Sequence, residues 1–205
     1  RGGRGKHALR GETPKDLIEV LEDGLPILCD LREGAGQKTG LYLDQRENRR
    51  RCAQFAQGRD VLDVFCYSGA FSLHAFRAGA RSLTLADSSE AALALAKTNF
   101  ERNQIDDADL VCARWPEALR LLAEQKRSFG LVVLDPPKFA RGRDAVTEAL
   151  NGYRDLNAQA ARLLAPGGLL FTCSCSGNVF ESDFERAVAT GLTIRCRRAS
   201  SRGGT

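Results

Sequence analysis

Residues 60–71 read Asp-Val-Leu-Asp-Val-Phe-Cys-Tyr-Ser-Gly-Ala-Phe, and this stretch decides the fold. The β-rich run Val61–Phe65 enters a turn with one glycine, Gly69, and a helical stretch follows at 69–79. Strand, turn and helix in that order open a crossover unit. Outward from it the alternation continues, with β-rich runs at Ser82–Ala86, Asp109–Cys112, Leu131–Leu134 and Leu169–Cys173 and helical stretches near 90–103, 116–126, 144–164 and 181–189. This predicts an α/β, Rossmann-like, doubly wound and mostly parallel sheet covered by helices on both faces, its C-terminal strands incomplete. Ligands of such sheets bind at the carboxyl ends of the strands. Here those ends are Phe65–Gly69, Asp87, Cys112–Trp115, Asp135–Phe139 and Cys173–Gly177.

Upstream, Leu17–Leu21 and Leu25–Leu31 flank Glu22-Asp23-Gly24, and Asp-Gly between apolar runs predicts a small antiparallel hairpin. Leu41–Gln57 has helical apolar spacing and many arginines. The expected organisation is a basic lead-in, hairpin and helix over 1–58, a cofactor-binding domain over 59–192, and a basic disordered tail over 193–205.

The 205 residues are 43% hydrophobic and 27% charged, with no apolar run long enough to span a bilayer. A net charge of +4 suggests an anionic partner, yet residues 11–192 hold 22 bases against 26 acids. Polyanion contact therefore falls to the two basic ends and to a local cluster, Arg46 with Arg49–Arg51. Seven cysteines without paired spacing read as reduced intracellular thiols, and no leader opens the chain, so the expected location is cytoplasmic. Methionine is absent and both ends are rich in Gly, Arg and Ser, so the sequence reads as a piece of a longer protein.

The strand ends carry the chemistry. Asp63 on the strand with only Gly69 in the turn lacks the glycines a dinucleotide turn needs, but is compatible with S-adenosylmethionine. Asp87 can accept from ribose hydroxyls, although Asp87-Ser-Ser-Glu90 also fits a capping box. Asp135-Pro-Pro-Lys-Phe139 ends an apolar strand in a stiff loop, which in an enzyme acting on a base projects Asp135 to its edge and Phe139 to its face. Cys173 and Cys175 share a strand parity, and Cys175 sits among Ser174, Ser176 and Gly177 where a nucleophile would stand. Cys29, Cys52, Cys66, Cys112 and Cys196 read as small apolar residues. A C-x-C metal site lacks partners at ligand spacing, and neither His7 nor His74 makes a catalytic base, so no metal is expected.

Together these segments resemble the class I S-adenosylmethionine-dependent methyltransferases. The narrower likeness is to the bacterial large-subunit ribosomal RNA cytosine-5 methyltransferases that carry an N-terminal PUA domain, which is expected to be absent here. The resemblance covers residues 17–189 and rests on Lys38-Thr-Gly-Leu-Tyr-Leu-Asp-Gln-Arg46, Phe65-Cys-Tyr-Ser-Gly-Ala-Phe71, Asp135–Phe139, Gly152-Tyr-Arg-Asp-Leu-Asn157 and Ser174-Cys-Ser-Gly177. It implies that Gln45 and Arg46, with Asp63, Phe65, Tyr67, Ser68 and Gly69, hold the methionine end of the cofactor and Asp87 the ribose. It further implies that Pro136, Pro137, Lys138, Phe139 and Tyr153 line the substrate side, and that Asp135 and Cys175 are catalytic. Ala113-Arg114-Trp115 stands where the family places an Asp toward adenine.

The implied partner is RNA, ribosomal RNA in particular, with no membrane or metal. In the implied reaction the Cys175 thiolate adds to C6 of a cytosine, and C5 then takes the methyl group. Two alternatives stand beside it: nitrogen methylation of a base in RNA or DNA with Cys175 inert, and a non-catalytic RNA- or cofactor-binding fragment.

Overall fold

Asp23 and Gly24 both take left-handed backbone, with φ of 53° and 81°. This two-residue turn matches strand twist, so β1 (Ile18–Glu22) and β2 (Leu25–Cys29) close as the expected antiparallel hairpin. The computed structural model describes residues 14–32, 40–139 and 143–200. Most of the lead-in, and Lys38 and Thr39, lie outside the described residues. The helix expected over 41–57 is shorter: a 3-10 turn at Leu43–Gln45 leads into α1 (Arg46–Ala53).

From there β3 (Asp60–Val64), α2 (Ala70–Arg77), β4 (Ser82–Asp87), α3 (Glu90–Arg102), β5 (Asp109–Cys112), α4 (Trp115–Glu124), β6 (Phe129–Leu134), α5 (Val146–Ala160), β7 (Leu164–Thr172) and α6 (Glu181–Ser200) follow. Five strands form one parallel sheet in the order β5-β4-β3-β6-β7. The chain moves outward from β3 to β5, then returns beside β3 as β6. The switch point thus lies between β3 and β6, and Asp63 and Asp135 flank it.

Alternation along β3 splits the core. Val61 joins Leu83, Leu85, Leu131 and Val133 under α2, α3 and the hairpin. Leu62 and Val64 face the other way, onto Leu119, Leu122, Leu156 and Leu163. Hairpin residues Ile27 and Cys29 belong to the first cluster, so the hairpin packs on the sheet domain.

β7 begins five residues earlier than its apolar run. Leu164 pairs with Phe129, Leu169 pairs with Leu131, and Pro166-Gly-Gly168 bulges between them. A Cβ at Gly168 would lie 2.9 Å from the carbonyl oxygens of Ala165 and Phe129, so only glycine fits. Among the described residues no strand follows β7. α6 passes residue 189, where the sequence reading ends it, and continues to Ser200; residues 201–205 lie outside the described residues.

Candidate active site

The turn after β3 is held in an uncommon backbone conformation. Phe65, Tyr67 and Gly69 all have left-handed φ, of 66°, 48° and 75°. At each of the two non-glycine residues this costs of order 1–3 kcal/mol, so the surroundings must impose it. Asp87 Oδ2 accepts from Tyr67 N at 3.1 Å, and Asn99 of α3 donates from Nδ2 to Ser68 O at 3.1 Å. Gly69 has a second constraint, since a Cβ there would stand 3.1 Å from the Phe100 ring.

Asp63 lies beneath this turn, 1% exposed. Ser72 Oγ donates to its Oδ2 at 2.8 Å, whereas Oδ1 is buried with no donor among the described residues. Burial pushes its pKa up to about 7; the Ser72 hydrogen bond opposes this and the charges of Asp135 and Asp87 add to it. Asp87 is half-buried at the end of β4. Its Oδ1 accepts from Ser89 N at 2.9 Å, and Ser89 Oγ caps α3 by accepting from Ala92 N. The cap of α3 is therefore Ser89, which corrects the capping alternative for Asp87.

Asp135 follows β6. Gln45 Nε2 donates to its Oδ1 at 3.1 Å, and Asn48 Nδ2 donates to Gln45 Oε1 at 2.7 Å. Asn48 thereby fixes which end of the Gln45 amide faces the acid. Burial raises the Asp135 pKa to about 6, the Arg49 charge pulling the other way and Asp44 adding to the rise. Beyond it Pro136 is buried, Pro137 and Lys138 are exposed, and Phe139 is half-buried against Tyr153 at 4.8 Å between ring centroids.

Cys175 is exposed, its Sγ 3.5 Å from Pro136 O, so it meets the Asp135 loop. Burial raises its thiol pKa and the Asp135 charge adds to this, Lys138 opposing. Cys173 does not join it at the surface. β7 ends at Thr172, strand alternation stops there, and Cys173 is buried with a pKa pushed up to about 12, first by burial. Tyr153 is fully buried, so it reaches the site through Ser174 and Ser176, both at 3.0 Å from its hydroxyl.

Other residues fall elsewhere. Arg46 is exposed and pairs with Asp23 of the hairpin turn. Arg49 is 2% exposed and gives both its Nε and Nη2 to Glu22 at 2.6 Å, which removes it from the expected polyanion cluster. Arg50 and Arg51 pair with Glu47. Cys112 is exposed at the end of the edge strand, not a core residue, and the Cys196 side chain lies outside the described residues. Trp115 packs half-buried against the α4 and α5 cluster.

Sequence reading passed over Asn48, Asn99 and Tyr42, whose ring meets that of Tyr67 edge-on at 6.4 Å. Tyr42 lies inside the Lys38–Arg46 motif; the two asparagines sit on α1 and α3 with no local signal. Among the described residues no group of three His, Cys, Asp or Glu side chains is placed to hold a metal, and no helix is long and apolar enough to cross a membrane.

The sequence profile of the S-adenosylmethionine-dependent methyltransferases matches residues 5–190. Ribosomal RNA large subunit methyltransferase I of Aeromonas hydrophila is 42% identical over 182 residues, 87% of this chain and 45% of that protein. The protein of the same name from Shewanella denitrificans is 43% identical over 195 residues, 93% of this chain and 48% of its own length. The chain spans about half the length of these relatives. The crystal structure of the methyltransferase SMU.776, complexed with SAH, superposes with a TM-score of 0.79 at 28% identity, covering 89% of this chain and 48% of the other. A methyltransferase from Agrobacterium tumefaciens shares the fold, with a TM-score of 0.74 at 20% identity over 88% of this chain and 59% of that one.

Proposed function

Because this chain belongs to the S-adenosylmethionine-dependent methyltransferases, we propose that it methylates C5 of a cytosine in large-subunit ribosomal RNA, with Cys175 as nucleophile. The observation that carries the reading is the meeting of Cys175 and the Asp135 loop at the ends of adjacent strands, Sγ 3.5 Å from Pro136 O. The relatives named as ribosomal RNA large subunit methyltransferases support the substrate class. A cytoplasmic location goes with that substrate.

The cofactor fits the residues present. Asp63 Oδ1 is a buried acceptor without a donor, suited to an ammonium group, and a cation there would favour its ionised form. Asp87, with a lone pair left on each oxygen beyond its backbone partners, suits ribose hydroxyls. The strained Phe65–Gly69 backbone and Gln45 complete the methionine side. Arg46, turned to Asp23, contributes by holding the 3-10 turn that carries Gln45.

S-adenosylmethionine, when bound, supplies an electrophilic methyl group. Asp135, with a pKa raised to about 6, keeps a protonated fraction near neutrality and can donate to the cytosine N3. Cys175 Sγ, once its proton has passed to solvent, bonds C6; the C5=C6 π pair shifts to C4=C5 and the C4=N3 π pair moves onto N3, which takes the Asp135 proton, leaving C5 the nucleophilic carbon of an enamine. After methylation the C5 proton leaves to solvent, its bonding pair reforms the C5=C6 double bond as Sγ is expelled with the C6–Sγ pair, and N3 returns its proton to Asp135. Because the Cys175 pKa is raised while Asp135 must hold its proton, the fraction in the active form is small: the rate should climb with pH up to about 6, level off, and fall once pH passes the thiol pKa.

The test is transfer of a labelled methyl group to large-subunit ribosomal RNA, followed by identification of the product base. 5-Methylcytidine from wild type and none from Cys175→Ala is expected. A nitrogen-methylated base formed equally by both proteins would instead favour the reading in which Asp135 and Phe139 suffice.

A further inference from the structure

We propose that Tyr153 is the positioning residue for Cys175, its buried hydroxyl clamping the two serines that flank the thiol; this rests on the carbon-methylation reading above. Residues 173–177 have no regular secondary structure, so the strand alone does not fix where the thiol points. The hydroxyl of Tyr153 lies 3.0 Å from Ser176 Oγ and accepts from Ser174 Oγ at 3.0 Å. A phenol can donate once and accept as well, so both bonds form together. Ser176 N then donates to Ser174 Oγ at 3.4 Å, closing a ring of hydrogen bonds under Cys175. On the strand side Cys173 N is fixed to Leu134 O at 2.8 Å.

The tyrosine is itself held. Its ring is 0% exposed, tilted against Phe139 and edge-on to Phe184 at 5.0 Å. Gly152 lets Phe139 come that close, since a Cβ there would stand 3.2 Å from the Phe139 ring. Asn157 Nδ2 donates to Tyr153 O at 2.8 Å. The motif Gly152–Asn157 thus ties the Asp135–Phe139 loop to the thiol loop through one side chain. Packing would be served equally by phenylalanine, so the hydroxyl is what the positioning role needs.

The experiment compares the 205-residue chain as wild type, Tyr153→Phe, Ser176→Ala and Cys175→Ala. Iodoacetamide labelling of Cys175 is read by peptide mass spectrometry against exposed Cys112 as internal reference, beside single-turnover methyl transfer to ribosomal RNA, KM for RNA, cofactor affinity and thermal midpoint. Tyr153→Phe should keep its midpoint, its cofactor affinity and its KM. Its Cys175:Cys112 labelling ratio should change several-fold and its kcat should fall roughly 10- to 100-fold, as misplacing a reacting group does.

Should Tyr153→Phe fail to fold, Ser176→Ala must give the same split between kcat and KM. Wild-type labelling and wild-type kcat in Tyr153→Phe, with Cys175→Ala inactive, overturn the clamp alone. Turnover retained by Cys175→Ala overturns the nucleophile, and the clamp's purpose with it.

Discussion

Two carboxylates are buried on either side of one helix, α2, and burial has treated them in opposite ways. Glu22 of the hairpin, 3% exposed, receives two bonds from Arg49 and lies 2.9 Å from His74 Nε2. Burial alone would raise its pKa, but the Arg49 hydrogen bond and charge, with His74, bring it below the ordinary value. Asp63, 1% exposed, has the Ser72 hydroxyl and, among the described residues, no cation, and its pKa climbs to about 7. The first acid is a pin that fastens hairpin and α1 to the sheet. The second has no such partner among the described residues, and it stands at the switch point of the strands, where the proposed reading places the cofactor's ammonium group.

The sharpest way to break this comparison is Arg49→Ala, which strands a buried charge and should cost about 3–5 kcal/mol in urea unfolding. Asp63→Asn should change stability by under about 1 kcal/mol, since no pairing is lost. A small loss for Arg49→Ala would mean that the Glu22 pair is not the pin. The order should reverse for ligand: Asp63→Asn should weaken S-adenosylhomocysteine binding by roughly 1.5–3 kcal/mol in calorimetry, the worth of a charged hydrogen bond. Equal affinity in mutant and wild type would make Asp63 an ordinary buried acid.

The pH dependence separates the two acids by sign. Asp63 binds its proton more tightly folded than unfolded, so its contribution to stability falls as pH rises from its ordinary 3.8 toward 7. Glu22, lowered when folded, contributes above its ordinary 4.5, and that contribution is lost as pH falls through its folded value. Denaturant titrations between pH 3 and 8 should find the decline toward neutrality reduced in Asp63→Asn and the acid loss reduced in Glu22→Gln. Identical slopes in all three proteins would contradict the contrast.

The smallest effect expected is that of Gln45→Ala. Its Nε2 donates to Asp135, which favours the carboxylate. Removing it should move the acid-side limb of the pH–rate profile upward by a fraction of a pH unit; a downward move would reverse the assignment of the Gln45 amide.

The sheet is legible because β-rich runs recur between helical stretches, and the strand ends because the Phe65–Gly69 turn, Asp87, Asp135 and Cys175 stand where such runs stop. Asp23-Gly24 marked the hairpin for the same local reason. What stayed hidden is long-range. Arg49 reads as one of a solvated run of arginines, since Glu22 lies 27 residues before it and only the hairpin's return brings them together. The motif marks Tyr153, but its burial and its two serine partners depend on how α5 crosses β7. Strand parity groups Cys173 with Cys175, and it fails because the strand ends at Thr172. Cys112 looked like a core residue because its run is apolar, yet it ends an edge strand.

The most direct test of the carbon-methylation account is covalent trapping. Ribosomal RNA carrying 5-fluorocytosine has no removable proton at C5, so the adduct between C6 and Sγ should persist after methylation and survive denaturation. Wild type with S-adenosylmethionine should give an RNA-linked band whose crosslinked peptide contains Cys175, and Cys173→Ala should give the same band. Cys175→Ala should give none while still binding cofactor. A band from Cys175→Ala, or ordinary turnover of fluorinated RNA without any band, would contradict the nucleophile.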